Sequence, residues 1–135
     1  MDMQRINSKI TGKTLPLYEM ERLMKPIGYS IGGNWGYDHG YFDYKMADEP
    51  GYVYLRVPFQ AVQGALNHEG VVVRVGTPFI LAHQYEDEVD EGASSGVLAT
   101  VFNQFAEPVD RDAEILLQYG VLGKALVEEL EFYLL

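Results

Sequence analysis

The stretch YFDYKMADEPGYVYLRVPF, from Tyr41 to Phe59, decides the fold because its apolar residues alternate with polar ones. Successive side chains of a β-strand point to opposite faces, so this period of two predicts two strands that each bury one face. The buried face is predicted to carry the apolar set: Phe42, Tyr44, Met46, Val53, Leu55, Val57 and Phe59. The other face is predicted to carry the polar set: Tyr41, Asp43, Lys45, Tyr54 and Arg56.

The Pro-Gly pair at 50–51 favours a turn between these strands, which predicts a hairpin. Two registers keep both apolar sets on the same side of the hairpin. One register places Lys45 opposite Arg56, where like charges repel. The other register, with residues 48–51 as the loop, places Asp43 opposite Arg56. Opposite charges attract across a strand pair, so we expect the second register.

Downstream of the hairpin, the sequence predicts two more strands. The segments VVVRVG and PFILAHQY are rich in apolar and β-branched residues. Thr77-Pro78 separates them, because proline cannot donate to a central ladder. EDEVDEGASSG, residues 86–96, is predicted to be a polar loop. VLATVFNQF, residues 97–105, is ambiguous, and its Val, Thr and Phe residues favour a strand.

Helical signals lie at both ends of the chain. TLPLYEMERLMKPIG predicts a short helix with Thr14 as its N-cap, Pro16 in its first turn, and Pro26 and Gly28 at its end. Its apolar residues recur at helical spacing: Leu17, Met20, Leu23 or Met24, and Ile27. A short strand before this helix fits the same pattern.

The segment VDRDAEILLQYGVLGKALVEELEFYLL predicts a long C-terminal helix capped by Asp110 or Asp112. One stripe of this helix is predicted to face the sheet: Ile115, Tyr119, Leu122, Leu126 and Leu130. Gly120 and Gly123 each disfavour a helix by roughly 1 kcal/mol relative to Ala. Close packing against the sheet explains them, and so does a helix broken into two pieces; the sequence leaves both open.

A helix, an antiparallel meander and a second helix together predict an α+β fold. We expect a two-layer sandwich with a sheet of about four to six strands, a short N-terminal helix and a long C-terminal helix. The length of 135 residues predicts one domain that spans residues 1–135.

The composition argues against several classes of function. The net charge of −10 and the absence of a basic cluster disfavour nucleic-acid binding. No apolar run reaches the length of a membrane span, and MDMQRINSKITGKT lacks the apolar core of a signal peptide. Without cysteine there is no disulfide framework or thiol nucleophile. We therefore expect a cytoplasmic protein that binds neither nucleic acid nor membrane.

Aromatic residues supply the candidate binding residues. Trp35 and Tyr37 accompany the tyrosines of the predicted polar face, and clustered aromatic residues mark contacts. Structural packing, an oligomer interface and a ligand pocket stay open as interpretations. In the pocket interpretation, Arg56 holds a carboxylate or phosphate group, or else pairs with Asp43. The predicted lining of that pocket is Trp35, Tyr41, Tyr54, Arg56 and His83.

No catalytic residue, cofactor or metal ligand is predicted. His39, His68 and His83 lack metal-ligand spacing. Ser94 lies in GASSG, but the strand and helix that a serine nucleophile needs around it are missing. EDEVDE lacks the alternating ligand positions of a calcium loop.

GNWGYDHGYFDYK, YVYLRVPF and TPFILAHQY together resemble the YugN-like family of Bacillus and its relatives. The resemblance runs from Leu15 to Glu91, and the helix after Pro108 matches less clearly. It implies a small cytoplasmic α+β protein of Firmicutes without an assigned activity, from which no catalytic residue can be transferred. The most specific positions are Trp35, Tyr37, Asp38, Asp43, Leu55, Arg56, Thr77, Pro78, His83 and Tyr85.

These features favour a non-enzymatic module that binds a partner or associates with itself as a homodimer. The reasons are the tyrosines of the polar face, the missing catalytic constellation and the apolar tail LEFYLL, which must dock on its own sheet or join a partner. The alternative is a small-molecule site between the sheet and the helices. A third reading is a metal-dependent enzyme in which Asp38, His39 and His83 converge.

Overall fold

The computed structural model describes residues 2–33, 38–48, 51–66, 69–84 and 111–135. The strands are β1 (Asp2–Arg5), β2 (Thr14–Pro16), β3 (Ser30–Gly33), β4 (His39–Ala47), β5 (Gly51–Ala61), β6 (Val72–Val75) and β7 (Phe79–Gln84). The helices are α1 (Leu17–Met24), followed by a 3-10 turn (Lys25–Ile27), and α2 (Arg111–Leu134). Several predictions fall outside the described residues: those for Trp35, Tyr37, His68, the loop at 86–96 and the segment at 97–105.

The central hairpin, β4 and β5, forms in the predicted register. Asp43 pairs with Arg56. An irregularity between Lys45 and Ala47 leaves Met46 as the extra residue of a bulge near the turn. The predicted apolar face is also confirmed, because most of its members are buried and the other two are half-buried against the core. The buried members are Phe42, Val53, Leu55, Val57 and Phe59, and the half-buried ones are Tyr44 and Met46.

The seven strands of the described residues form one antiparallel sheet that has only five rows. β6 and β7 lie end to end along β5, where β6 pairs with residues 59–61 and β7 with residues 51–56. The predicted break at Thr77-Pro78 lies between them. The N-terminal segment repeats this arrangement one row further out, since β2 pairs with β6 and β1 with β7. The predicted antiparallel sheet is therefore confirmed, but it has seven strands and not the expected four to six, because the N-terminal segment adds β1 and β2.

Both helices pack on the apolar face of this sheet, which makes the two-layer α+β sandwich. Their buried residues join the same core as the apolar set of the hairpin. From α1 these are Leu17, Met20 and Met24, and from α2 they are Leu116, Val127, Leu130 and Leu134. Within the described segments, neither helix combines the length and the apolarity that a membrane crossing requires.

The predicted start of α1 is wrong. Thr14 lies in β2 and pairs with Arg74, so its backbone is part of the sheet. Pro16 occupies the N-cap position with an extended backbone and makes no side-chain capping hydrogen bond. The helix begins at Leu17 because proline fixes a backbone angle suited to this entry while the ladder of β2 holds the preceding residues.

α2 is one continuous helix of 24 residues, so Gly120 and Gly123 do not break it. Gly123 faces the sheet: a Cβ atom there would lie 2.6 Å from Cδ1 of Ile80, so a larger residue would force the buried side chain of Ile80 to shift. The predicted stripe is wrong at Leu122, which is 44% exposed. Its place facing the sheet is taken by Gly123, one residue further along.

Candidate functional site

The polar set of the hairpin lies on the sheet face opposite to α1 and α2. Because side chains alternate along a strand, the pairing of Tyr52 with His83 brings a residue of β7 onto the same face. We call this surface the tyrosine face and define it by six half-buried residues: Tyr41, Asp43, Tyr52, Tyr54, Arg56 and His83.

Arg56 is held on both its edge and its flat side. Its Nε and Nη2 atoms donate to the two carboxylate oxygens of Asp43, each at 2.9 Å. Its guanidinium carbon lies 3.8 Å from the centre of the Tyr41 ring, which is a cation–π contact. The hydrogen bonds that Arg56 donates to Asp43 raise the pKa of Arg56 above its ordinary value. Of the two roles that the sequence left open for Arg56, the structure shows the salt bridge with Asp43.

A row of rings crosses from β5 to β7 at the other end of this face. The ring centres of Tyr52 and Tyr54 are 5.4 Å apart, and those of Tyr52 and His83 are 5.3 Å apart. Nδ1 of His83 is buried and has no hydrogen-bond partner among the described residues. Tyr52 thus joins the other two rings, although it was not among the residues predicted to line a pocket.

The tyrosine face contains four of the five residues predicted to line a ligand pocket, and the fifth, Trp35, lies outside the described residues. Tyr41 and Arg56 contact each other, whereas Tyr54 and His83 belong to the row of rings. The described helices cover the opposite face of the sheet. These four residues therefore do not line a pocket between those helices and the sheet, which was the predicted position.

The histidines predicted to converge in an enzyme lie at opposite ends of the sheet. His39 pairs with Gln60 and His83 pairs with Tyr52, so eight residues of β5 separate them. At the rise of a β-strand this is roughly 27 Å. No group of three His, Asp or Glu side chains that could hold a metal occurs in the parts of the chain that the structure describes. The predicted convergence of Asp38, His39 and His83 is wrong.

α2 exposes a second apolar surface on the side away from the sheet. Leu117, Val121 and Phe132 are 80%, 81% and 82% exposed, and Leu135 is 59% exposed. At 100° per residue these four positions fall on one stripe. We call this stripe the outer face of α2. In the tail LEFYLL, Leu130 and Leu134 dock on the core while Phe132 and Leu135 point outward.

A polar cluster occupies the end of the sheet where β4 begins. Nδ1 of His39 donates to Asp38 at 3.1 Å, and the side-chain amide of Gln60 donates to the same carboxylate at 3.3 Å. These hydrogen bonds, that from His39 first, lower the pKa of Asp38. Arg74 follows Gln60 across the next strand pair.

Residues 5–134 match the model of the YugN-like family. This chain belongs to the YugN-like family. A YugN-like relative, the uncharacterized protein YugN of Bacillus subtilis (strain 168), is 51% identical over 130 residues, which cover 96% of this chain and 97% of the relative. The crystal structure of the uncharacterized conserved protein YugN from Geobacillus kaustophilus HTA426 aligns with a TM-score of 0.56 and 24% identity. That alignment covers 64% of this chain and 74% of the other, and it shows a shared fold.

The predicted resemblance to the YugN-like family is confirmed. The residues that carried it end at Glu91, whereas the family match continues to residue 134 and so includes α2. The names of these YugN-like relatives assign no activity, so residue roles must be argued from the geometry of this chain.

Two features of this YugN-like structure escaped the sequence reasoning. The polar cluster with Gln60 and Arg74 depends on the register of three strands, which no local pattern shows. The outer face of α2 escaped because α2 is apolar on two sides, and a single stripe was assigned to it. The spacing of Leu117, Val121 and Phe132 was the signal that could have revealed the second stripe.

Proposed function

We propose that this protein is a non-enzymatic binding module that forms a homodimer through the outer face of α2. A cytoplasmic location, expected from the cysteine-free composition, is part of the proposal. The observation that carries it is the exposure of Leu117, Val121 and Phe132 on a helix whose other side is already buried. Exposed apolar side chains that line up on one face of a helix favour a protein–protein contact.

The exposed area matches what a small homodimer needs. Six apolar side chains of α2 are exposed: Leu117, Val121, Leu122, Phe132, Tyr133 and Leu135. At roughly 100 Å² each, the four residues of the outer face offer about 400 Å² per protomer, and Leu122 and Tyr133, which flank that face, raise this to about 600 Å². Two copies that cover all six side chains would bury about 1,200 Å², the lower end for specific interfaces.

The outer face of α2 is also complementary to itself. In a two-fold interface each residue meets a counterpart from the same patch. An antiparallel pair of α2 helices with its axis level with residue 126 puts Leu117 of one copy opposite Leu135 of the other. The same axis puts Lys124 opposite Glu128, so charges of opposite sign meet twice. This complementarity favours a second copy over an unrelated partner.

Sedimentation velocity at micromolar concentration tests this proposal. The natural sequence should sediment as a dimer, and Val121→Glu should sediment as a monomer because it places a charge within the apolar stripe. Gln118→Glu is the matched control: it adds the same charge at an exposed position of α2 beside the stripe, and it should stay dimeric. A monomeric natural protein, or a dimeric Val121→Glu variant, would count against the proposal.

A second candidate function is the binding of a small ring-shaped molecule on the tyrosine face. The contiguous rings of Tyr52, Tyr54 and His83 favour it, because aromatic faces stack on planar ligands. A thermal-shift screen of metabolites tests it. A compound that raises the melting temperature of the natural protein but not of Tyr54→Ala would support this site, and no stabilising compound would leave it without support.

A further inference from the structure

Three polar side chains lie side by side where β4 begins. His39 on β4 pairs with Gln60 on β5, and Gln60 pairs with Arg74 on β6. Neighbouring strands are about 4.8 Å apart, so the three side chains follow one line across the sheet. We call them the polar row. The row lies on the sheet face opposite to α2 and is independent of the proposed dimer contact.

A cavity of about 260 Å³ opens at the polar row. Its remaining lining comes from the apolar or backbone-rich residues Pro58, Phe59, Val75 and Gly76. A water molecule takes up about 30 Å³ of liquid, so the cavity has room for a carboxylate or phosphate group and for part of the molecule that bears it. The polar side chains that line the cavity are those of the polar row.

The charges along the row are divided between its two ends. Asp38 is bound by His39 and Gln60, and these hydrogen bonds favour its charged form, so its negative charge stays at the β4 end. Arg22 and Arg56 form ion pairs with Glu19 and Asp43. Arg74, at the β6 end, forms no ion pair with any described residue. A planar guanidinium without a counter-ion is suited to bind an oxyanion through two parallel hydrogen bonds.

We propose that the polar row binds a small oxyanion, a carboxylate or a phosphate group, through Arg74. The guanidinium holds the anion, and Gln60 and His39 lie beside it as further hydrogen-bonding groups. Asp38 orients both side chains from the far end. Arg56, the residue that the sequence indicated for this role, is already neutralised by Asp43, so we assign the role to Arg74 at the cavity.

Amide NMR spectra of the full-length protein test this site by titration with inorganic phosphate and, separately, with acetate, at constant ionic strength. Phosphate should cause saturable shifts around His39, Arg74 and Gly76. Arg74→Gln should weaken the binding at least about tenfold, because hydrogen bonds to a charged group are lost. Arg22→Gln is the control: it removes the same charge from an exposed position of α1, and it should bind like the natural protein.

The two titrations also separate the possible sources of the oxyanion. Saturation by phosphate alone assigns the site to phosphate esters, saturation by acetate alone to carboxylic acids, and saturation by both to the oxyanion in general. The proposal would be overturned by shifts that never saturate with either probe. Equal binding by Arg74→Gln and the natural protein, or an equal loss in Arg22→Gln, would also overturn it. The oligomeric state does not enter these outcomes, because the row and the outer face of α2 lie on opposite sides of the sheet.

Discussion

At the scale of single residues, the best-defined interaction of the molecule is the fork between Arg56 and Asp43. Two parallel hydrogen bonds of 2.9 Å hold one edge of the guanidinium, and the ring of Tyr41 holds its flat side. The side chains are 25% and 14% exposed, so solvent screens this pair less than a surface pair. Because Asp43 and Arg56 lie opposite each other, their salt bridge stabilises the observed register of β4 and β5.

The fork should therefore contribute measurable stability. In a double-mutant cycle of Asp43→Asn and Arg56→Gln, we expect a coupling free energy of about 1–2 kcal/mol from urea unfolding. The control cycle uses Glu19→Gln and Arg22→Gln, a surface pair at 3.5 Å whose side chains are 40% and 66% exposed, and its coupling should be close to zero. Equal coupling in the two cycles would contradict this account.

The pairing of Asp43 with Arg56 could be predicted from sequence because only two registers were compatible with the apolar pattern, and charge distinguished them. The contact of Arg56 with the Tyr41 ring could not, since it depends on a rotamer. Arg74 was missed for a different reason. Its neighbours in the row, Gln60 and His39, are distant in sequence, and only the combined register of β4, β5 and β6 brings the three together.

At the scale of elements, α2 shows how two glycines in one helix differ. Gly123 is buried against the sheet, where an added Cβ would lie 2.6 Å from Cδ1 of Ile80 and 3.0 Å from Cδ1 of Ile6. At Gly120, the nearest atom to an added Cβ is Oε1 of Gln4, at 3.9 Å. The first glycine serves close packing, and the second merely weakens the helix.

Alanine should therefore have opposite effects at the two positions. Gly120→Ala should raise the free energy of unfolding by up to about 1 kcal/mol, because alanine favours the helix and meets no neighbour. Gly123→Ala should lower it by about 1 kcal/mol, because overpacking against fully buried Ile80 exceeds the helical gain. Thermal or urea unfolding of both variants measures the difference. Stabilisation at position 123 equal to that at 120 would show that the contact with the sheet is loose.

The existence of α2 was predictable, but its orientation was not. Its apolar residues surround most of the helix, so the periodicity supported more than one inward stripe. Leu122 was assigned to the core, while Gly123 faces the sheet. β1 and β2 could not be predicted firmly because their sequences carry too little apolar pattern. They are short and weakly apolar, and they become strands because β7 and β6 offer edges for pairing.

At the scale of the whole molecule, the two ends of the chain are joined by one carboxylate. Glu131 near the end of α2 accepts hydrogen bonds from the backbone N–H of Lys9 at 3.0 Å and from the hydroxyl of Ser8 at 2.9 Å. These hydrogen bonds, that from Lys9 first, lower the pKa of Glu131 below its ordinary value of 4.5. They fasten α2 to the segment between β1 and β2.

This contact should make part of the stability dependent on pH. A carboxyl group with a lowered pKa in the folded state stabilises the protein above its unfolded pKa, and this stability is lost as the pH falls through the folded value. The difference in unfolding free energy between the natural protein and Glu131→Gln should therefore shrink as the pH drops below 4.5. Glu129→Gln is the control: this exposed carboxylate of α2 has no described hydrogen bond to the N-terminal segment, and its removal should show a smaller dependence on pH. A constant difference for Glu131→Gln would contradict the assigned role.

The central claim is that a second copy of the chain covers the outer face of α2, and the absence of native cysteine allows a direct measurement. A single Ala125→Cys variant places one thiol next to the proposed two-fold axis, and a disulfide forms only where the Cα atoms come within about 7 Å. Under mild oxidation, Ala125→Cys should become a covalent dimer much faster than Tyr18→Cys, whose thiol would lie exposed on α1. Oxidation that leaves Ala125→Cys monomeric, or that links both variants at the same rate, would contradict the claim.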